Sequence, residues 1–255
     1  MMRLEVLASG SKGNCYLLYT RQGIIILEAG VRWQEVLKAI KHRVDDVICC
    51  LVTHEHMDHA KYVLDYVNGG ISVYASEGTK AALHETGALP KPYMVRSFEK
   101  MNPVETKGIR FTAFSTQHDA ADPVGYYIIE LATGESLLFA TDTYYVRYRF
   151  RLVDHIMVEC NYAEDILQRN IDAGYVHRSL ADRIRSSHFE LEHVKEFVAA
   201  CNGLRLSDVI LMHLSDGNSD AERFRKEIAG CTLAAVHVAE KGKNFLFGGV
   251  YEEDL

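Results

Sequence analysis

Three imidazoles and the Asp58 carboxylate fall within six residues of Thr53-His54-Glu55-His56-Met57-Asp58-His59-Ala60. Neutral imidazoles and a carboxylate at this density are the donors that borderline divalent cations such as zinc prefer. The spacing sets the geometry. A helical metalloprotease pair places two histidines at i and i+4 with a glutamate between them, whereas His54 and His56 are an i, i+2 pair. Such a pair suits a turning segment at a strand end, where both rings converge on one ion. The apolar run Val47-Ile48-Cys49-Cys50-Leu51-Val52 just before it reads as that strand.

Three further strands, far apart in the chain, each run into a residue of ligand type. Ile109–Phe114 leads to His118, Ser136–Ala140 to Asp142, and Val209–Met212 to His213. Strand ends on one edge of a sheet meet in space, which is how rigid scaffolds assemble sites from distant residues. Together with His54, His56, Asp58 and His59 this makes seven candidate ligands. Seven are too many for one tetrahedral zinc and suit two divalent ions sharing a carboxylate.

The elements that must position these residues follow from local patterning. The opening Leu4-Glu5-Val6-Leu7, the small-residue loop Ala8 to Asn14 and the run Cys15–Tyr19 read as strand, turn, strand. The loop is either a hairpin turn or a backbone N–H cradle for an anion, helped by Ser9, Ser11 and Lys12. Ile24–Leu27 is a third strand ending at Glu28-Ala29-Gly30. Apolar residues at 33, 36, 37 and 40 have helical spacing over 33–43. Helices are expected at 61–67, 76–85, 163–171, 178–185, 190–201 and 220–229. Two short strands are expected between Pro90 and Thr106, a hairpin over 126–140, and strands at 71–74, 156–159, 233–238 and 245–247.

At 255 residues the chain can bury a sizeable core, and no apolar run approaches the length of a membrane span. Six cysteines show no regular framework and no CxxC, which points to a reduced, cytoplasmic protein. The net charge of −7 gives no global sign of nucleic-acid binding. It does not exclude such chemistry, because bound cations place positive charge where a phosphate would sit. Only four prolines and no low-complexity tract interrupt the chain, so residues 1–255 are expected to form one domain. Its two halves, each several strands followed by helices, predict a four-layer αββα sandwich with two mixed β-sheets.

The series His54-x-His56-x-Asp58-His59, then His118, Asp142 and His213, resembles the metallo-β-lactamase fold superfamily at all seven ligand positions. Further motifs are similar to its WalJ/YycJ group of DNA-processing hydrolases. They are Ser9-Gly10-Ser11-Lys12-Gly13-Asn14-Cys15, His118-Asp119-Ala120 to Gly125-Tyr126, Glu159-Cys160-Asn161-Tyr162, Ser187-His188 and His213-Leu214-Ser215. The resemblance implies one metal held by His54, His56 and His118. It implies a second held by Asp58, His59 and His213, with Asp142 bridging and a hydroxide between the ions as nucleophile. Asp58 would hold that hydroxide in line. His188, expected at a helix N-terminus, would protonate the leaving oxygen or bind a phosphate. Ser9, Ser11, Lys12, Asn14 and Asn161 are the candidate phosphate contacts. One residue departs from the pattern: the superfamily usually places Asp where this chain has Glu28, behind the His loop. A side chain one methylene longer must shift or work through a water, and such supporting changes can weaken metal affinity tenfold or more.

The function implied is a dinuclear metal-dependent phosphodiesterase, a nuclease acting on DNA. Zinc or manganese comes first as the metal, with iron or nickel admissible. A thioesterase or lactonase of the same fold is the alternative, as is a metal-binding nucleic-acid sensor without hydrolytic activity.

Overall fold

The computed structural model describes residues 1–248; residues 249–255 of the expected single-domain range lie outside the described residues. The strands in chain order are β1 (Arg3–Ala8), β2 (Cys15–Tyr19), β3 (Ile24–Leu27), β4 (Val47–Leu51), β5 (Val73–Tyr74), β6 (Val104–Thr106), β7 (Ile109–Ser115), β8 (Val124–Glu130), β9 (Ser136–Ala140), β10 (His155–Glu159), β11 (Asp208–Met212), β12 (Ala235–Val238) and β13 (Asn244–Leu246). The helices are α1 (Trp33–Ala39), α2 (Met57–Ala60), α3 (Val63–Asn68), α4 (Glu77–Glu85), α5 (Glu164–Asp172), α6 (Arg178–Ser187), α7 (Leu191–Cys201) and α8 (Ala221–Ala229).

Two mixed sheets result, one ordered β13-β1-β2-β3-β4-β5 and the other β12-β11-β10-β9-β8-β7-β6. The central strands are apolar throughout because both faces are covered. Alternate residues of β3 show how. Ile25 and Leu27 enter the core between the sheets with Phe111, Tyr126 and Phe139. Ile24 and Ile26 face the other way, against Val36 of α1, Ile40 just after it, and Val63 and Tyr66 of α3. In the second sheet Leu138, Ile156, Val158 and Val209 meet Val194 and Val198 of α7 and Phe224 and Ile228 of α8. Helix, sheet, sheet, helix is the layer order expected from the sequence.

The pairing directions decide where the chemistry lies. Within the first sheet β1, β3, β4 and β5 run the same way, and within the second β7, β9, β10, β11 and β12 do. Their carboxyl ends therefore share an edge in each sheet, the usual site of ligand crevices in α/β folds.

The structure differs from local expectation at several places, and the helical spacing over 33–43 yields a helix only to Ala39. The helix expected at 61–67 is α3, shifted to Val63–Asn68, and a further short helix not expected from the sequence, α2, precedes it inside the His loop, with His56 in its N-cap position (φ −58°, ψ 147°). Asp58 thus sits in the first turn, where the helix dipole favours a carboxylate. Between Pro90 and Thr106 there is one strand, β6, and an isolated bridge of Arg96 to Tyr74 in place of two strands.

Candidate metal centre

The His loop is held from three sides by backbone contacts. Ala29 N donates to His59 O at 2.7 Å, Asn14 N donates to Asp58 O at 2.7 Å, and Tyr62 N donates to Ala29 O at 3.0 Å. Gly30 is required at this junction. A Cβ there would lie 1.8 Å from Asp58 O and 2.6 Å from Asn14 N, so no side chain fits. Three residues at strand ends, Glu28, Asp142 and His213, take left-handed backbone with φ of 70°, 45° and 54°. Non-glycine residues adopt this region at a cost of order 1 kcal/mol, and such strain gathers where side chains must be aimed at a site.

All seven expected ligands converge. His54, His56, His118 and Asp142 form one group whose donor atoms lie within 4.8 Å of one another, and Asp58, His59, Asp142 and His213 form a second. Asp142 belongs to both. Its Oδ2 lies 3.6 Å from His54 Nε2, 3.3 Å from His59 Nε2 and 3.4 Å from His118 Nε2. Its Oδ1 lies 3.3 Å from His213 Nδ1. His56 Nδ1 is 3.1 Å from His118 Nε2, and Asp58 Oδ2 is 3.4 Å from His213 Nε2. Two donors on a tetrahedral zinc with bonds of about 2.05 Å sit about 3.3 Å apart, so these separations fit donors gathered round a cation.

The outer nitrogens of the rings fix which inner nitrogen is free to bind. His54 Nδ1 donates to Thr53 Oγ1 at 2.9 Å, and Thr53 Oγ1 donates in turn to Glu28 Oε1 at 2.6 Å. His118 Nδ1 donates to Ser187 O at 2.9 Å. His213 Nδ1 donates to Glu159 Oε1 at 3.0 Å, and His59 Nδ1 faces Glu28 Oε1 at 3.4 Å. Each leaves Nε2 turned into the cluster, the arrangement that a buried acceptor imposes on a metal-binding imidazole. His54 Nε2 is buried with no hydrogen-bond partner. A buried lone pair facing a carboxylate demands positive charge. Burial opposes charged imidazolium, yet Asp142 and its neighbours hold His213 at about 10 and His59 well above the ordinary histidine value. Burial likewise opposes charge on Asp142, but the surrounding histidines hold its carboxyl well below the usual range. His54, the most crowded by other rings, is lowered chiefly by burial. The donors therefore fit divalent metal.

Glu28 braces the loop without a water. Its carboxylate accepts from Thr53 N at 3.2 Å as well as from Thr53 Oγ1. The sequence alone does not single out its counterpart, Glu159. This fully buried carboxylate takes His213 Nδ1 and His188 Nδ1 on Oε1, at 3.0 and 2.6 Å. Its Oε2 accepts from Thr143 N at 3.0 Å and Phe189 N at 3.3 Å. The available signal was position: β10 lies between β9 and β11 and ends on Glu159 as they end near Asp142 and His213.

The remaining expected residues divide. His188 lines a cavity of about 400 Å³ over the cluster with Ser11, Asp58, Asn161 and Arg183. It ends α6 with extended backbone and does not begin a helix. The start of α7 is capped instead by Glu190, whose carboxylate accepts from Glu192 N and His193 N. Burial opposes its charge, but the Glu159 carboxylate raises the His188 pKa. Asn14 does not face substrate. It is 1 % exposed, its Oδ1 accepts from Gly10 N at 2.8 Å, and its Nδ2 reaches Asp58 Oδ2 at 3.2 Å. Ser9 Oγ accepts from His213 N at 3.0 Å and Tyr16 Oη at 2.9 Å. The expected anion cradle is thus largely spent on scaffolding, with Gly13 N also bound internally to Gly10 O. Ser11 and Lys12 stay exposed and line a second cavity of about 370 Å³ with Arg32 and Lys241. Asn161 Nδ2 donates to His213 O at 2.9 Å while its residue borders the first cavity.

The fold and this donor set define a metal-dependent hydrolase. The chain belongs to the metallo-β-lactamase fold superfamily: the β-lactamase superfamily domain model matches residues 25–214. It is 31 % identical over 246 residues to exodeoxyribonuclease WalJ of Streptococcus pneumoniae, covering 91 % of this chain and 86 % of the relative. It is 30 % identical over 259 residues to exodeoxyribonuclease YycJ of Bacillus anthracis, covering 94 % and 90 %. Among solved structures, the metallo-β-lactamase fold protein YhfI of Bacillus subtilis superposes with a TM-score of 0.69 at 14 % identity, covering 96 % of this chain and all of that one, which supports the fold.

Proposed function

We propose that the protein is a two-metal phosphodiesterase, a nuclease acting on DNA, with residues 1–255 working as one domain. The observation that carries this reading is the position of Asp142, one carboxylate shared by two donor groups with His188 and Glu159 beside them. His54, His56 and His118 would hold one ion, Asp58, His59 and His213 the other, and Asp142 both; zinc or manganese suits the donors, and iron or nickel is compatible. A bound cation pair lowers the pKa of water and offsets phosphate charge.

The chain's own residues supply the rest. Asp58 Oδ2, fixed by Asn14 Nδ2, orients the attacking water. Glu159 occupies His188 Nδ1, which leaves Nε2 to protonate the leaving oxygen. Exposed Ser11 and Lys12, with Asn161, contact phosphates. The names of the WalJ and YycJ relatives support DNA as substrate. No helix among the described residues is long and apolar enough to cross a membrane; the free, mostly buried thiols suit the reduced, cytoplasmic setting of this reading.

The test is hydrolysis of bis(p-nitrophenyl) phosphate and end-labelled DNA with manganese or zinc, beside a thioester and a lactone. DNA cleavage that disappears in Asp58→Ala is the expected result. Thioester or lactone turnover with inert DNA would refute it, and bound metal with no turnover of any kind would favour a sensor.

A further inference from the structure

The connection from β9 to β10 joins two parallel strands, and such crossovers are usually helical. Here residues 143–151, Thr-Tyr-Tyr-Val-Arg-Tyr-Arg-Phe-Arg, form a strap with neither helix nor strand pairing, which turns at Thr143–Tyr145 and then alternates exposed and covered side chains. It leaves directly from Asp142. Thr143 N donates to Glu159 Oε2 at 3.0 Å, and Gln117 N donates to Thr143 Oγ1 at 2.9 Å, so its start is pinned between the cluster and the His118 loop.

Its side chains alternate. Val146 is buried, and Tyr148 and Phe150 pack on Phe114 with ring centroids 5.6 and 5.0 Å apart. Arg147, Arg149 and Arg151 are exposed, as are Tyr144 and Tyr145 at the end nearest the metal centre. The three guanidiniums form no ion pair among the described residues, whereas Arg183, Arg185, Arg205 and Arg223 are all paired. A protein of net charge −7 thus keeps three cations unpaired on one rigidly backed strap.

We infer that this strap is the track for a single-stranded segment of nucleic acid leaving the catalytic cavity. The inference rests on the nuclease reading above. Alternate residues of extended chain are about 6.6 Å apart, a spacing suited to successive backbone phosphates of an unpaired strand. Four residue steps separate Arg147 from Arg151, at most about 13 Å of chain, room for about two phosphate steps. The tyrosines offer ring faces to unpaired bases, which a duplex keeps stacked, and the arginines answer the phosphates, the combination used by single-strand grooves. Sequence preference is absent from such contacts.

The experiment measures fluorescence anisotropy of labelled oligodeoxythymidylates of four, eight and twelve nucleotides in EDTA, so that binding is read without cleavage. Wild type, the triple variant Arg147→Gln/Arg149→Gln/Arg151→Gln and the single variant Arg149→Glu are compared, with bis(p-nitrophenyl) phosphate turnover in manganese as the control for an intact centre. The strap predicts affinity that rises with length in wild type. In the triple variant it falls at least about tenfold, and the slope of log affinity against log salt drops by about 2. Tyr144→Ala/Tyr145→Ala costs about tenfold, with small-substrate turnover kept throughout. Unchanged oligonucleotide affinity and salt slope in the arginine variants overturn the track and leave the nuclease reading standing. Equal or tighter binding of a labelled blunt duplex, measured in the same way, overturns the single-strand assignment. No oligonucleotide binding by wild type, with thioester or lactone turnover, overturns both.

Discussion

Two buried glutamates stand behind the metal centre, one on each sheet, and they do different things. Glu28, at the end of β3, spends its carboxylate on Thr53 N and Oγ1, and faces His59 Nδ1 only at 3.4 Å. Glu159, at the end of β10, binds two imidazoles at 2.6 and 3.0 Å. Glu28 therefore shapes a loop that carries ligands. Glu159 orients one ligand, His213, and the candidate acid, His188, through a single oxygen. Removing either empties a buried contact, but only Glu159 touches both a candidate metal ligand and the candidate acid.

The sharpest break in this comparison is Glu159→Gln. The amide keeps the volume but cannot accept from both rings on one charged oxygen. We expect kcat on DNA at saturating metal to fall about 10²- to 10⁴-fold, the range of a lost general acid. A fall no larger than that of Glu28→Gln would erase the distinction. Glu28→Gln should act on the other quantity. Its metal affinity, followed by titration of metal-free protein, should drop about 10- to 100-fold while kcat at saturating metal stays within a few-fold. Glu28→Asp, which restores the residue usual in the superfamily, should be milder. Its shorter reach strains the Thr53 contacts, and thermal unfolding should show a loss of about 1 kcal/mol, the worth of one buried methylene.

The smallest effect on activity belongs to a third buried carboxylate, at the far end of β11. Asp208 Oδ2 takes His155 Nδ1 at 2.9 Å, Ser207 Oγ at 2.6 Å and Gly248 N at 2.9 Å. Burial opposes its charge, but the His155 hydrogen bond and these donors hold its carboxyl below the ordinary aspartate value. A lowered carboxyl pKa stabilises the fold above the unfolded value and ceases to as pH falls through the folded one. Asp208→Asn should therefore reduce thermal stability at neutral pH with unchanged catalysis, and the gap to wild type should close as pH drops below about 3.8. A catalytic defect at neutral pH would show that this end of the sheet reaches the site.

The residues that converge in the donor cluster are legible in sequence because their signal is local. Four sit in one loop, and His118, His213 and Asp142 each follow a plain apolar strand. Glu159 ends a strand too, yet its partners are 29 and 54 residues away, and only the strand order β9-β10-β11 brings them together. Asn14 and Ser9 are spent on scaffolding contacts, unseen in sequence for a related reason. Small polar residues in a turn look available for phosphate, but composition does not say which of their groups the fold consumes. His188 was placed at a helix start because Glu190, the actual cap, is two residues on. The sandwich itself was readable from strands apolar on both faces.

The central claim is that two cations share Asp142, and metal stoichiometry tests it most directly. Metal-free protein is titrated with manganese while cleavage of end-labelled DNA is followed. The account predicts two bound equivalents per chain, with cleavage appearing as the second is filled. Full cleavage at one equivalent, or none at two, would contradict it.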